Sequence, residues 1–162
     1  MKVATFPAPP ADLTTRSIGA TPVGDLRTLP GAQALSVMFL RDWFDGCRLS
    51  VAAALSESLG PDAGATTMEA LDALLSMLTH NGRRPIQWRA LHCLCVGSDE
   101  AVIANLLHLA ATGEREEAML IGSLLLPGET LLPAVEAARI AGLGIMRTEI
   151  RDRTAAHPPT RH

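Results

Sequence analysis

The sequence predicts a mainly α fold: a bundle-like single domain of five to six helices with a small two-stranded element at about 86–96 and 143–151. Three observations carry that expectation. Apolar residues recur at i, i+3 and i+4 through most of 32–141, the spacing that lines one face of a helix. Strict apolar–polar alternation is scarce. The 162 residues, 48% apolar and 19% charged, suffice for one well-buried core with tails.

Residues 1–31 hold five of the eleven prolines without any period of 2 or 3.6, and read as an extended or disordered arm. The helical domain is expected over 32–151. Its first helix, 32–44, is apolar nearly all round (Leu35, Val37, Met38, Phe39, Leu40), so it must be buried or shared with a second copy. Asp45-Gly46 interrupts it, and a second helix runs from 48 to 59, ended by Gly60-Pro61. Over 67–80, Met68, Leu71, Leu74, Leu75 and Leu78 form one stripe. Thr66 and Glu69 have the spacing of a capping box, and Asn81-Gly82 supplies the stop.

No helical period crosses 83–97. Alternation from Ile86 to Val96 suggests a strand, and 143–151 is its natural partner because a lone strand leaves its backbone groups unpaired. Ser98 is expected to cap the next helix, which carries Val102, Ile103, Leu106 and Leu107 and ends at Gly113. Glu114, Glu116 and Glu117 favour the positive end of another helix. Read through Leu126, that helix is apolar on every side (Met119, Leu120, Ile121, Leu124, Leu125) and is expected to be central. A last helix, 130–141, takes Pro133 in its first turn. Residues 152–162 read as a disordered tail.

Residue counts exclude several chemistries. Of 14 basic residues only Lys2 is a lysine, so neither a Schiff-base lysine nor a phosphate-gripping P-loop lysine is expected in the core. There is no tyrosine to act as a phenolic acid or base. Residues 32–151 carry a net charge of −5, a poor footprint for nucleic acid or an anionic membrane surface. No apolar run approaches the length of a membrane span, and residues 1–13 lack the apolar stretch of a secretory signal. With three cysteines, too few for a disulfide framework, a reducing, cytoplasmic location is expected.

One segment can carry chemistry. His92, Cys93, Cys95, Asp99 and Glu100 fall within the nine residues HCLCVGSDE. Thiolate, imidazole and carboxylate are the usual zinc ligands. On a strand Cys93 and Cys95 share a face while His92 points away, so further ligands would have to come from Cys47, His80, His108 or the carboxylates. The plainer reading is two small thiols packed in the core. Cys95 also precedes Ser98 by three residues; a helix start lowers a thiol pKa, although Asp99 and Glu100 oppose that. Arg83-Arg84, after a helix end, offer an anion contact.

Two functions follow as expectations. The first is a non-enzymatic protein-interaction or assembly module, without cofactor, acting as a homodimer through the first helix. Phe39, Trp43 and Phe44 are its interface anchors, since aromatic side chains give large contact area for little ordering entropy. The second is a zinc-binding or thiol-dependent sensor or enzyme centred on His92, Cys93 and Cys95.

Overall fold

A computed structural model describes residues 18–156. Six helices make the body: α1 (Gly31–Phe44), α2 (Arg48–Leu59), α3 (Pro61–Asn81), α4 (Ser98–Thr112), α5 (Arg115–Gly122) and α6 (Gly128–Ala156). Two short strands, β1 (Pro22–Asp25) and β2 (Cys95–Gly97), pair antiparallel, with a bulge between Pro22 and Gly24. The fold is mainly α, as the spacing of apolar residues predicts.

The core is organised around α6, which packs against both α3 and α4. Its buried face is built of small residues: Ala134, Ala137, Ala138, Ala141, Gly142 and Gly144. Small residues let backbones approach closely. A Cβ at Gly142 would collide with the carbonyl oxygen of Leu107 in α4, and one at Gly144 with the side chain of Thr67 in α3. The space between is filled by Leu71, Leu74, Leu75 and Leu78 of α3, Ile103, Leu106 and Leu107 of α4, and Ile145 of α6, all buried. Each such side chain contributes roughly 1.5–3 kcal/mol of transfer free energy. The buried hydroxyls of Thr67 and Thr148 are satisfied within their own helices, Thr67 donating to the Ala63 carbonyl at 2.8 Å and Thr148 to that of Gly144 at 3.1 Å.

Helix ends follow local chemistry. Gly113, at φ 89°, closes α4 in the left-handed region that a side chain rarely adopts. At the start of α4, Gly97 rather than Ser98 is the cap residue, and the Glu100 carboxylate reaches back to accept from the Gly97 N–H at 2.8 Å. Pro61 opens α3, six residues ahead of the expected start. Thr66 therefore lies inside the helix, its hydroxyl donating to the Asp62 carbonyl at 3.0 Å instead of capping.

Four expectations are corrected. Residues 143–151 are not a strand but the continuation of α6, because Ala141, Ile145 and Thr148 extend the stripe begun by Ala134 and Ala138; the two glycines mark close packing, not a break. The partner of β2 comes instead from 22–25, and only Cys95 and Val96 of the expected strand 86–96 are in β2. Residues 18–30 of the expected arm lie on the body: Val96 is buried with Val37 and Ala104, and Leu26 and Leu29 pack against them. The rest of that arm, residues 1–17, lies outside the described residues, as do 157–162 of the expected tail, whose first residues 152–156 complete α6. Finally, α5 is peripheral and ends at Gly122; Leu120 and Leu124 are exposed, and α6 takes the central place.

Candidate functional site

The connection between α3 and α4, residues 82–94, has no regular structure, so its backbone groups need other partners. Three charged side chains supply them. Arg41 of α1 and Glu100 of α4 are fully buried and form a two-point ion pair, Nε to Oε1 at 2.7 Å and Nη2 to Oε2 at 2.9 Å. Arg41 also donates to the carbonyls of Cys93 at 2.6 Å and Cys95 at 2.9 Å, while Glu100 accepts from the Arg89 N–H at 2.9 Å. Such a pair tolerates burial only because its remaining donors and acceptors are satisfied. Asp99, also buried, accepts from both terminal nitrogens of Arg84 and from the Gln87 N–H at 2.9 Å. The hydrogen bonds to Asp99 raise the Arg84 pKa above its already high ordinary value. Arg89 reaches across to the Ala20 carbonyl. The irregular connection is thus sewn to α1, α4 and residues 20–26, where the Leu26 N–H donates to the Leu94 carbonyl at 2.7 Å.

The cysteines lie in this clamped stretch. Cys93 and Cys95 are joined as a disulfide, both half-buried, with His92, Leu91 and Leu94 exposed around them. His92 is not brought to the sulfurs as a third ligand: among the described residues no three His, Cys, Asp or Glu side chains come together. With the sulfurs bonded to each other, neither is a thiolate for zinc or for attack. At the start of α4 the Gly97 N–H is taken by the Glu100 carboxylate, and the Cys95 sulfur is bonded to Cys93. Cys47, at the start of α2, is free and exposed.

The expected interface anchors are placed differently. Phe39 and Trp43 face inward, 5% and 7% exposed, and belong to the chain's own core, so they are not available as surface anchors. Trp43 donates its indole N–H to Asp72 at 2.9 Å, and Arg48 stacks over its ring. Phe44 is half-buried and stacks on Trp88, centroids 4.3 Å apart and planes 13° from parallel. Trp88 donates to Asp45 at 3.2 Å and is 41% exposed. These rings, with Pro85 and Ile86, line an open apolar groove of about 610 Å³ between the ends of α1 and α3. Arg83 stands on its rim. Its Nε donates to the Ser123 and Leu126 carbonyls at 3.0 and 3.2 Å, leaving its two terminal nitrogens without a partner among the described residues.

The residues that organise the site, Arg41, Asp99 and Glu100, were not singled out as a group by spacing. The available signal was Arg41 itself, a lone cation inside LSVMFLRDWF, where an apolar surround demands a buried partner. Compared with known proteins, the chain matches no protein family, no curated protein and no solved structure.

Proposed function

We propose that the protein is an interaction and assembly module whose aromatic groove receives residues 6–13 of a second copy, FPAPPADL. The observation that carries the reading is the stacked Phe44–Trp88 pair at the wall of an open apolar groove. The indole N–H of the exposed Trp88 is already bonded to Asp45, so its ring offers the groove an apolar surface. Aromatic-lined grooves suit proline-rich segments, whose preset backbone loses little entropy on binding. Asp12 complements the terminal nitrogens of Arg83 that lack a partner. Gly19, next to the first described residue Ile18, lies against Arg84, which also lines the groove. The described chain therefore starts beside its own groove, the arrangement that a reciprocal exchange between two copies requires.

The chain has two tryptophans, Trp43 and Trp88; both line the groove but only Trp88 is exposed, so acrylamide quenching of intrinsic fluorescence reports occupancy through Trp88. The expected result is a dimer at tens of micromolar, by sedimentation, whose tryptophans are shielded from acrylamide. A variant with Phe6, Pro9 and Pro10 all changed to Ala should be monomeric and more readily quenched. A monomeric wild type with the same quenching as the variant would refute the reading. A monomeric wild type that is nevertheless shielded would mean the segment folds back on its own chain, which overturns the second copy as its source.

A further inference from the structure

We infer that Cys93 and Cys95 form a thiol–disulfide exchange site, which accepts two electrons from thiols while its backbone stays in place. Three observations carry this, none of them from the groove. First, the pair is bonded across a single intervening residue, and both cysteines are only half-buried, between the exposed Leu91, His92 and Leu94, so the disulfide lies at the surface rather than in the core. Second, the backbone around it is held independently of the sulfur bond. Arg41 binds the carbonyls of both cysteines, and Glu100 binds the N–H groups of Arg89 and Gly97 on either side. Additional bonds run from the Cys93 N–H to the Ala90 carbonyl at 2.9 Å and from the Leu26 N–H to the Leu94 carbonyl at 2.7 Å. Opening the disulfide removes none of these contacts. The freed thiols therefore stay close, at the high effective concentration that makes re-closure fast. Third, Leu91 and Leu94 are 40% and 47% exposed beside the sulfurs, an apolar surround suited to thiols carried on a protein segment.

The step balances as exchange. A partner thiolate attacks one sulfur, the Cys93–Cys95 bond breaks, and a mixed disulfide forms while the other cysteine leaves as thiolate and takes up a proton. A second partner thiol attacks the mixed disulfide. The products are two cysteine thiols here and one disulfide on the partner, which has lost two electrons and two protons. A disulfide that cycles in this way is compatible with a reducing compartment, where lasting structural disulfides are rare.

The test uses the full chain carrying Cys47→Ser, so that the exposed third thiol adds no signal. Protein is equilibrated in glutathione buffers from fully oxidising to fully reducing, quenched with an alkylating agent and weighed intact. The expected result is a two-thiol transition within the buffer range, without denaturant, and an unchanged far-ultraviolet circular dichroism spectrum. Cys95→Ser in the same background should trap a glutathione adduct on Cys93. Added to reduced, unfolded ribonuclease, the oxidised protein should form substrate disulfides at least several-fold faster than Cys93→Ser/Cys95→Ser. Any of three results would overturn the inference: two alkylatable thiols at every buffer ratio, a disulfide reducible only after unfolding, or stoichiometric zinc released when the two thiols are blocked. Exchange with glutathione but no oxidation of ribonuclease would overturn the protein-thiol substrate.

Discussion

The α3–α6 crossing and the clamped connection 82–97 solve opposite problems. At the crossing, leucines from α3 and a small-residue face on α6 exclude water, and the helices satisfy their own backbones. In the connection there is no repeating backbone pattern, and buried charges take over the bonding that a sheet or helix would provide. The first region draws its stability from area. The second draws conformation from polar geometry, at a desolvation cost that leaves little net gain. One is tolerant of volume-conserving change; the other fails when a single partner is removed.

That contrast can be broken most severely at Glu100. Glu100→Ala leaves Arg41 buried without its counter-ion and should lose roughly 3–5 kcal/mol in urea unfolding. The double change Arg41→Met with Glu100→Leu should recover most of this, since an apolar pair of similar volume avoids desolvating charge. Amide exchange across 89–97 should nevertheless remain faster than in wild type, because the contacts to the loop are gone. A double variant as unstable as Glu100→Ala would mean the charges supply net stability, not only conformation.

The apolar region comes next. Leu75→Ala, at a fully buried site, should lose about 2–5 kcal/mol, whereas Leu124→Ala, on the surface, should stay within about 0.5 kcal/mol. Gly142→Ala tests the close approach of α6 to α4. The added methyl meets the Leu107 backbone, which has little room to move, so about 1–3 kcal/mol should be lost. Equal melting temperatures for wild type and Gly142→Ala would show that the helices are further apart than described.

The smallest effect is at the surface. Hydrogen bonds from Arg27 to Asp25 hold that carboxyl at about 2, below its ordinary 3.8. A lowered native pKa means the unfolded chain binds the proton more readily, so the pair's stabilisation is complete above the unfolded value and is lost as pH falls through about 2. Both side chains are solvated, so the change in melting temperature should be slight. Carboxyl chemical shifts should titrate near that pH and move up toward the ordinary value in Arg27→Ala. An unaltered midpoint in that variant would rule out the pair as the cause.

The two regions also differ in how far the sequence reveals them. Bounds of α1 and α2, the end of α3 and the end of α4 were legible because periodicity and glycine or proline stops are local signals. The α6 continuation past Ala141 is hidden in the sequence because Gly142 and Gly144 look like breakers until α3 and α4 are seen to need their missing side chains. The α5 region reads as central because a run that is apolar all round does not say which side is covered. Phe39, Trp43 and Phe44 read as anchors for a second copy because an apolar periodicity does not say whether the covering surface is foreign; Phe39 and Trp43 lie in the chain's own core and Phe44 stacks on Trp88.

What the sequence determined by itself is the mainly α architecture and most of its helix ends, because the helical hydrogen bond joins residues four apart and its apolar stripe repeats within a few turns. What only the tertiary structure decided is the clamp and the groove. Arg41 meets Glu100 across 59 positions, β1 meets β2 across some 70, and Phe44 meets Trp88 across 44. Such partners leave no period to read: a buried charge states that it needs a partner, and only the packed chain states which one.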